Sequence, residues 1–400
     1  MSAISQRTHL VLLSAWTVLW FAVVQPHGGF SWHYLRTGGE LLYAGPGRTD
    51  GGLNLYAHHP ELQMGPVSFL AAGLFNPFPE SVGQLLGAAV MSLLGLIILV
   101  VAGRSAAWYF LGTGTNHQRL RQRVLIAGLA FIPMWIEVSV RFGHLDDVLA
   151  LFFTALAVRS LTRGNAAATG IFLALAMDSK PTALAFLPLL LALPRRQWLR
   201  AGLWCAGLVA LVWLPFLLDS PHSLAAARFT IPNQPASALR WLGVDDPRTP
   251  PWDRPAQAAV GLALGCAAVW RGRWPAVVLL GANARIALDP SVYTYYTASV
   301  LLGTLLWDVI GQRRLVPWWS WIGLITLYGT VFVVPDDAAR GLIRLGFAAV
   351  STAYVLFWPV RDRRRRRPPP RAGRTTADQP PGTEERTALG TPRDRSWGVP

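Results

Sequence analysis

The chain is short of charge, short of cysteine and almost without lysine. Of its 400 residues, 14% are charged and 52% hydrophobic, where soluble domains carry about 25% charged residues. That shortage excludes an ordinary soluble enzyme. The two cysteines, Cys205 and Cys266, both fall inside apolar segments. They read as packing residues, which excludes a disulfide framework and a cysteine metal cage. The sequence offers no phosphate-cradling glycine loop, no Ser-His-Asp order that stands out and no dependable metal-ligand spacing. "HH" at 58–59 with Glu61 reads as a loop packing feature. No metal and no cofactor are expected. No small-residue cleavage site follows "HLVLLSAWTVLWFAVV", so that segment reads as an uncleaved first helix.

Long apolar blocks are what the chain has instead. "VGQLLGAAVMSLLGLIILVVAG" (82–103) and "LVPWWSWIGLITLYGTVFVV" (315–334) each reach the roughly 20 residues that a bilayer crossing takes. The pattern predicts an all-α, multi-pass transmembrane bundle. Helices are expected near 9–25, 82–102, 123–140, 147–160, 166–178, 181–193, 200–218, 256–270, 275–288, 292–310, 316–334 and 341–359. Several are short, which suits helices tilted into neighbours or half-helices facing a cavity. Residues 66–78 are apolar but too short to span comfortably, and they read as re-entrant or interfacial.

The net charge of +15 invites a nucleic-acid reading, and its distribution argues against one. Residues 361–400 alone hold eleven Arg against five acids, and the remaining Arg mostly sit in short loops between apolar segments. That is the positive-inside pattern. It predicts a plasma-membrane protein with both termini cytoplasmic and twelve alternating crossings. One transmembrane domain would cover 1–360, with long outside loops at 26–65 and 219–255. Residues 361–400 form a basic cytoplasmic tail too poor in apolar residues to fold. Its "RDRRRRR" run would bind anionic lipids next to the last helix.

With that orientation, polar residues gather at the outer helix mouths. Arg141, His144, Asp146 and Asp147 stand in "RFGHLDD". Asp178 and Lys180 follow, then Arg285, Asp289 and the tyrosines of "YTYY". Ionisable groups at membrane depth are costly and usually line a cavity or pathway. Structural readings stand beside the functional one. Asp146 or Asp147 could cap the helix that begins there. Arg141 could bridge to either Asp. Tyr293, Tyr295 and Tyr296 could belong to an aromatic belt. Lys180 is the single Lys among 36 Lys and Arg. A compact ammonium suits a phosphate in a narrow site, where Arg presents a wide fork; the bland alternative pairs it with Asp178.

The stretch "GHLDDVLALFFTALAVRSLTRGNAAATGIFLALAMDSKPTALAFLPLLLAL" (143–193) resembles the membrane core of the GT-C glycosyltransferases. It is closest to the polyprenyl-phosphate-sugar-dependent mannosyl- and arabinosyltransferase-like proteins of actinobacteria. Those show a Gly-His-x-Asp helix start, a basic hairpin, a Gly/Ala-rich helix and then a Lys before a Leu/Pro-rich helix. "SWHYLRTGGELLYAG" and "LNLYAHHPELQMGP" resemble their first outside loop, and "IPNQPASALRWLG" (231–243) resembles an Asn-Gln segment of a later loop. The resemblance implies sugar transfer, with inversion, from a polyprenyl-phosphate donor to an envelope glycan or lipid acceptor on the extracytoplasmic side. It implies a carboxylate base, for which Asp146, Asp147 and Glu61 are the candidates. It also implies a donor-binding set of Lys180, Arg141, His144, Arg285, His59, Tyr34, Asn233, Gln234 and Tyr295.

One position departs from the family. The base expected there is an Asp just before the first-loop helix, and this chain has Ser31. Glu61, Asp50, His59 or Asp146 would have to serve, or the chain is an inactive relative. A multi-pass transporter or flippase for a lipid or amphiphile is the alternative from another class. The halves show no repeat, which many transporters have.

Overall fold

The computed structural model describes residues 6–358 apart from 46–47, 112–114, 236 and 292. It is helical throughout, with no strand among the described residues. The expected basic tail at 361–400 lies outside those residues. Among the described residues, each of the twelve apolar segments is mostly helical. Five stretches are long and apolar enough to cross a membrane: Arg7–His27, Glu80–Tyr109, His117–Arg141, Arg195–Asp219 and Asp337–Phe357.

The other apolar helices are shorter, among them Ala166–Ser179, Pro181–Ala192 and Trp318–Val333. A 14-residue α-helix covers only about 21 Å, less than the ~30 Å of bilayer hydrocarbon. Length therefore does not fix how many segments cross. Pro181–Ala192 is a 3-10 helix carrying prolines at its start and at Pro188. Proline lacks the amide that an α-helical turn needs, and the thinner 3-10 winding also covers more length per residue.

Apolar surface is what identifies the surroundings. Val11, Val18 and Val23 on the first helix are 61–66% exposed, as are Leu199, Leu211 and Leu218 of Arg195–Asp219 at 70–74%. Apolar exposure repeated along whole helices is far larger than a soluble monomer tolerates. It suits contact with lipid chains, and the molecule is a membrane protein on this ground.

The first long loop is built, not slack. Trp32–Leu42 is an amphipathic helix that buries Trp32, Leu35, Gly38, Gly39 and Leu41. Gly38 lets it press on Pro66–Gly73: a Cβ there would lie 2.1 Å from the Phe69 ring. Pro66–Gly73, inside the segment read as interfacial, is an eight-residue helix with Phe69 fully buried.

Candidate functional site

The site begins with an irregularity in one long helix. His117–Ile136 carries Pro133 in its last turn and continues as a π-helical turn, Glu137–Arg141. The turn closes when the Phe142 amide donates to the Glu137 carbonyl at 3.0 Å. Gly143 then adopts φ +68°, a left-handed conformation costly to any residue with a Cβ. This reversal starts the Leu145–Thr162 helix, with His144 as its N-cap residue. Asp146 and Asp147 fall in its first turn, but no side chain caps the helix. The capping alternative for the two Asp is thereby corrected.

Instead the two carboxylates meet Lys180. Its ammonium donates to Asp146 in a very short contact and to Asp147 Oδ2 at 3.0 Å. Lys180 joins the Ala166–Ser179 α-helix to the 3-10 helix and has extended backbone angles, φ −142° and ψ 112°. Pro181 enforces that geometry on the residue before it, and so aims the ammonium. Asp178 is not its partner. That carboxylate is fully buried near Tyr56 and Trp213 and forms no ion pair among the described residues, which overturns the bland alternative for Lys180.

A third element, Val277–Leu288, supplies Arg285. Its Nη1 lies 3.4 Å from Asp147 Oδ1 and 3.4 Å from the Thr182 hydroxyl, and its Nε lies 3.7 Å from Asp289 Oδ2. The guanidinium also sits 4.4 Å from the Tyr296 ring centroid, a cation–π placement. His144 Nδ1 is 3.1 Å from Asp146 Oδ1, and its ring stacks on Tyr295 at 3.9 Å. Tyr295 and Tyr296 are thus buried partners of the charged groups, not members of an exposed belt; Tyr293 is 42% exposed.

Both long loops attach at this end of the bundle. The amides of Gly29, Phe30 and Ser31 donate to the carbonyls of Val140, Arg141 and Phe142 at 2.8–3.1 Å. At its far end the same loop grips the residue before Lys180: the Gly65 amide and the Ser68 hydroxyl both donate to the Ser179 carbonyl. The second loop joins through Gln234, whose amide donates to Pro290 and whose side chain accepts from Ser291. Ser31 therefore stands beside Phe142, two positions from His144, at the edge of the cluster.

Other candidates are placed elsewhere. Arg141 pairs with Glu137 at 3.3 Å and not with either Asp, and its side chain is 43% exposed. His59 and Glu61 pair at 3.3 Å, with Asp50 on the other ring nitrogen at 3.2 Å. Hydrogen bonds from Arg48 and then His59 hold the Asp50 carboxyl below the usual carboxylate range. No hydrogen bond or ion pair among the described residues joins this loop cluster to Asp146 or Asp147. Asn233 is spent on its own loop: it donates to the Val244 and Asp246 carbonyls and accepts from Ser237. Tyr34 is exposed and packs against His33.

Sequence reasoning missed Glu137 and Thr182. Glu137 is buried, accepting from Thr294 at 2.8 Å and from Tyr328 at 3.4 Å. An acid inside "IPMWIEVSV", four residues before Arg141, was the available signal. Thr182 carries none.

The site's free space is small. A cavity of about 20 Å³ touches Asp147, Lys180, Thr182 and Arg285, room for roughly one water. Asp146 lies behind it. His144, Asp146 and Asp147 could present metal-ligand atoms within 4.8 Å of one another. The Lys180 ammonium already lies between the two carboxylates, where an ion's charge would fall. Each cation of the cluster has an acid partner, so an arriving anion must displace a carboxylate to take a cation. No protein-family model, curated protein or solved structure matches the chain.

Proposed function

We propose that the protein is a membrane glycosyltransferase of GT-C type that moves a sugar from a polyprenyl-phosphate donor to an envelope glycan or lipid acceptor. The observation that carries the proposal is the buried Asp146–Asp147–Lys180–Arg285 network at one end of a membrane bundle, bridged by two long loops. A donor phosphate competes with Asp147 for Lys180 and Arg285. Once displaced, Asp147 is a free carboxylate at the cavity wall. The acceptor hydroxyl oxygen attacks the anomeric carbon from the face opposite the phosphate, and the carbon–oxygen bond to phosphate breaks. The electron pair leaves with polyprenyl phosphate, held by the two cations. The hydroxyl proton passes to Asp147.

Asp147 suits the base better than Asp146, because Asp147 lines the cavity and Asp146 is fully buried behind it. Purified protein in nanodiscs, given polyprenyl-phosphate mannose or arabinose and an envelope acceptor, is expected to release polyprenyl phosphate. Asp147→Asn should lower that rate by about 10²–10⁴-fold. Equal turnover in the variant removes Asp147 from the role.

The ion pairs also favour a second reading, an inactive relative or an amphiphile translocator, since every charge is already satisfied without a substrate. Lipid scrambling by reconstituted protein, with no sugar transfer to any acceptor, would select the translocator. Activity appearing only in Ser31→Asp would select the inactive relative.

A further inference from the structure

The end of the bundle opposite the site holds a second, differently built pair of cavities. Leu145–Thr162 carries Asp146 in its first turn and Arg159 in its last. Around that last turn a cavity of about 420 Å³ is lined by Arg104, Arg159, Arg163, His117 and Trp108. The Arg163 guanidinium lies 5.8 Å from the Trp108 ring centroid. No acidic side chain lines this cavity, and no ion pair among the described residues neutralises the three Arg. The contrast with the first site is plain, because there every cation has a carboxylate.

An apolar groove of about 200 Å³ continues from it between the first helix, Glu80–Tyr109 and His117–Ile136. Arg104 and His117 line both spaces, and Leu13, Leu99 and Val124 line the groove. His9 faces into this groove. Its side chain is only 6% exposed, and neither ring nitrogen has a hydrogen-bond partner among the described residues. A buried polar ring without a partner costs free energy that a bound polar group recovers.

We infer that these joined cavities form a binding site for an anionic phospholipid. Its phosphate sits among Arg104, Arg159 and Arg163, an ester carbonyl accepts from His9, and an acyl chain fills the groove. Each part of the lipid meets a matching surface. Guanidinium groups hold phosphate oxygens in paired hydrogen bonds. The ester lies one glycerol away from the phosphate, at the depth where chain and headgroup meet. Basic pockets between membrane helices take such headgroups. The inference stands apart from the transferase proposal and needs only a chain embedded in a bilayer.

Binding of fluorescent phosphatidate to the purified full-length protein in detergent tests it, with unlabelled competitors. Unlabelled phosphatidate or phosphatidylglycerol should displace the probe. Phosphatidylcholine and inorganic phosphate should not. Arg159→Gln and Arg163→Gln should each weaken binding about fivefold, and His9→Phe should weaken it while keeping the fold intact by circular dichroism. Displacement by phosphatidylcholine as effective as by phosphatidate would mean non-selective lipid contact and overturns the inference. Displacement by inorganic phosphate at similar concentration would mean a phosphate pocket without a lipid. Unchanged affinity in both Arg variants would place the binding elsewhere, in the basic tail for instance, and also overturns it.

Discussion

At the residue scale, Lys180 carries the clearest consequence. Its ammonium is bound to both Asp146 and Asp147. Removing it leaves two adjacent buried carboxylates with only His144 on Asp146 and Arg285 on Asp147, and breaking a buried pair costs about 3–5 kcal/mol. Lys180→Met should therefore lower thermal stability in detergent. Adding Asp146→Asn should restore a large part of the loss, while donor binding stays absent. Asp178→Asn is the control, since that carboxylate touches no cation; its stability should not fall. A stability loss in Asp178→Asn, or no recovery in the double variant, sinks this account of the pair. The solitary Lys was legible as a special residue, because nothing else in the composition explained one Lys among so many Arg. Its partner was not legible. Asp178 is two residues away in sequence, but the α-helical turn before Lys180 points the two side chains apart. Chain proximity misled where helical geometry decided.

At the element scale, the break between Ile136 and Leu145 positions the site. Gly143 alone has the left-handed φ there. A Cβ on it would meet Gly29 and Trp32 only at 3.5 Å, ordinary contact, so the cost of a side chain is conformational. Gly143→Ala should lose about 1–2 kcal/mol of stability, and Gly143→Asn less, because Asn tolerates that region better. Gly143→Val should be the worst of the three. Equal melting temperatures across the series would show that the turn does not hold His144 in place. Helix existence was readable from the long apolar blocks, and so was a break at the "RFGH" motif. The π-helical turn before it was not. Winding of that kind depends on how Pro133 and the neighbouring helices divide the hydrogen bonds, and a single sequence does not show this. The same limit hid the 3-10 character of Pro181–Ala192, although its two prolines hinted that an α-helix would not run through.

At the scale of the whole molecule, the two long loops share one end of the bundle with the acid-rich site, and the paired arginines crowd the other. Sidedness follows as a prediction. Asp50→Cys and Asp245→Cys should react with an impermeant thiol reagent applied to intact cells, and Arg163→Cys only after permeabilisation. Opposite reactivity of Asp50→Cys and Asp245→Cys would break the arrangement. The spacing of the Arg clusters is what motivates this sidedness. The number of crossings was not legible, because short helices buried among others need no full membrane length. Leu145–Thr162 is 18 residues long, about 27 Å of rise, and carries charged residues in its first and last turns. A crossing by this helix would make the spacing of its charged ends a gauge for bilayer thickness. In a membrane much thicker than that span, one charged end must sink into hydrocarbon or the lipid must thin around it, and each ångström of mismatch carries a cost. Sugar transfer measured across nanodiscs of increasing acyl length should pass through a maximum near lipids whose hydrocarbon matches this helix. A flat profile would mean that the neighbouring helices, and not this one, set the depth at which the molecule floats.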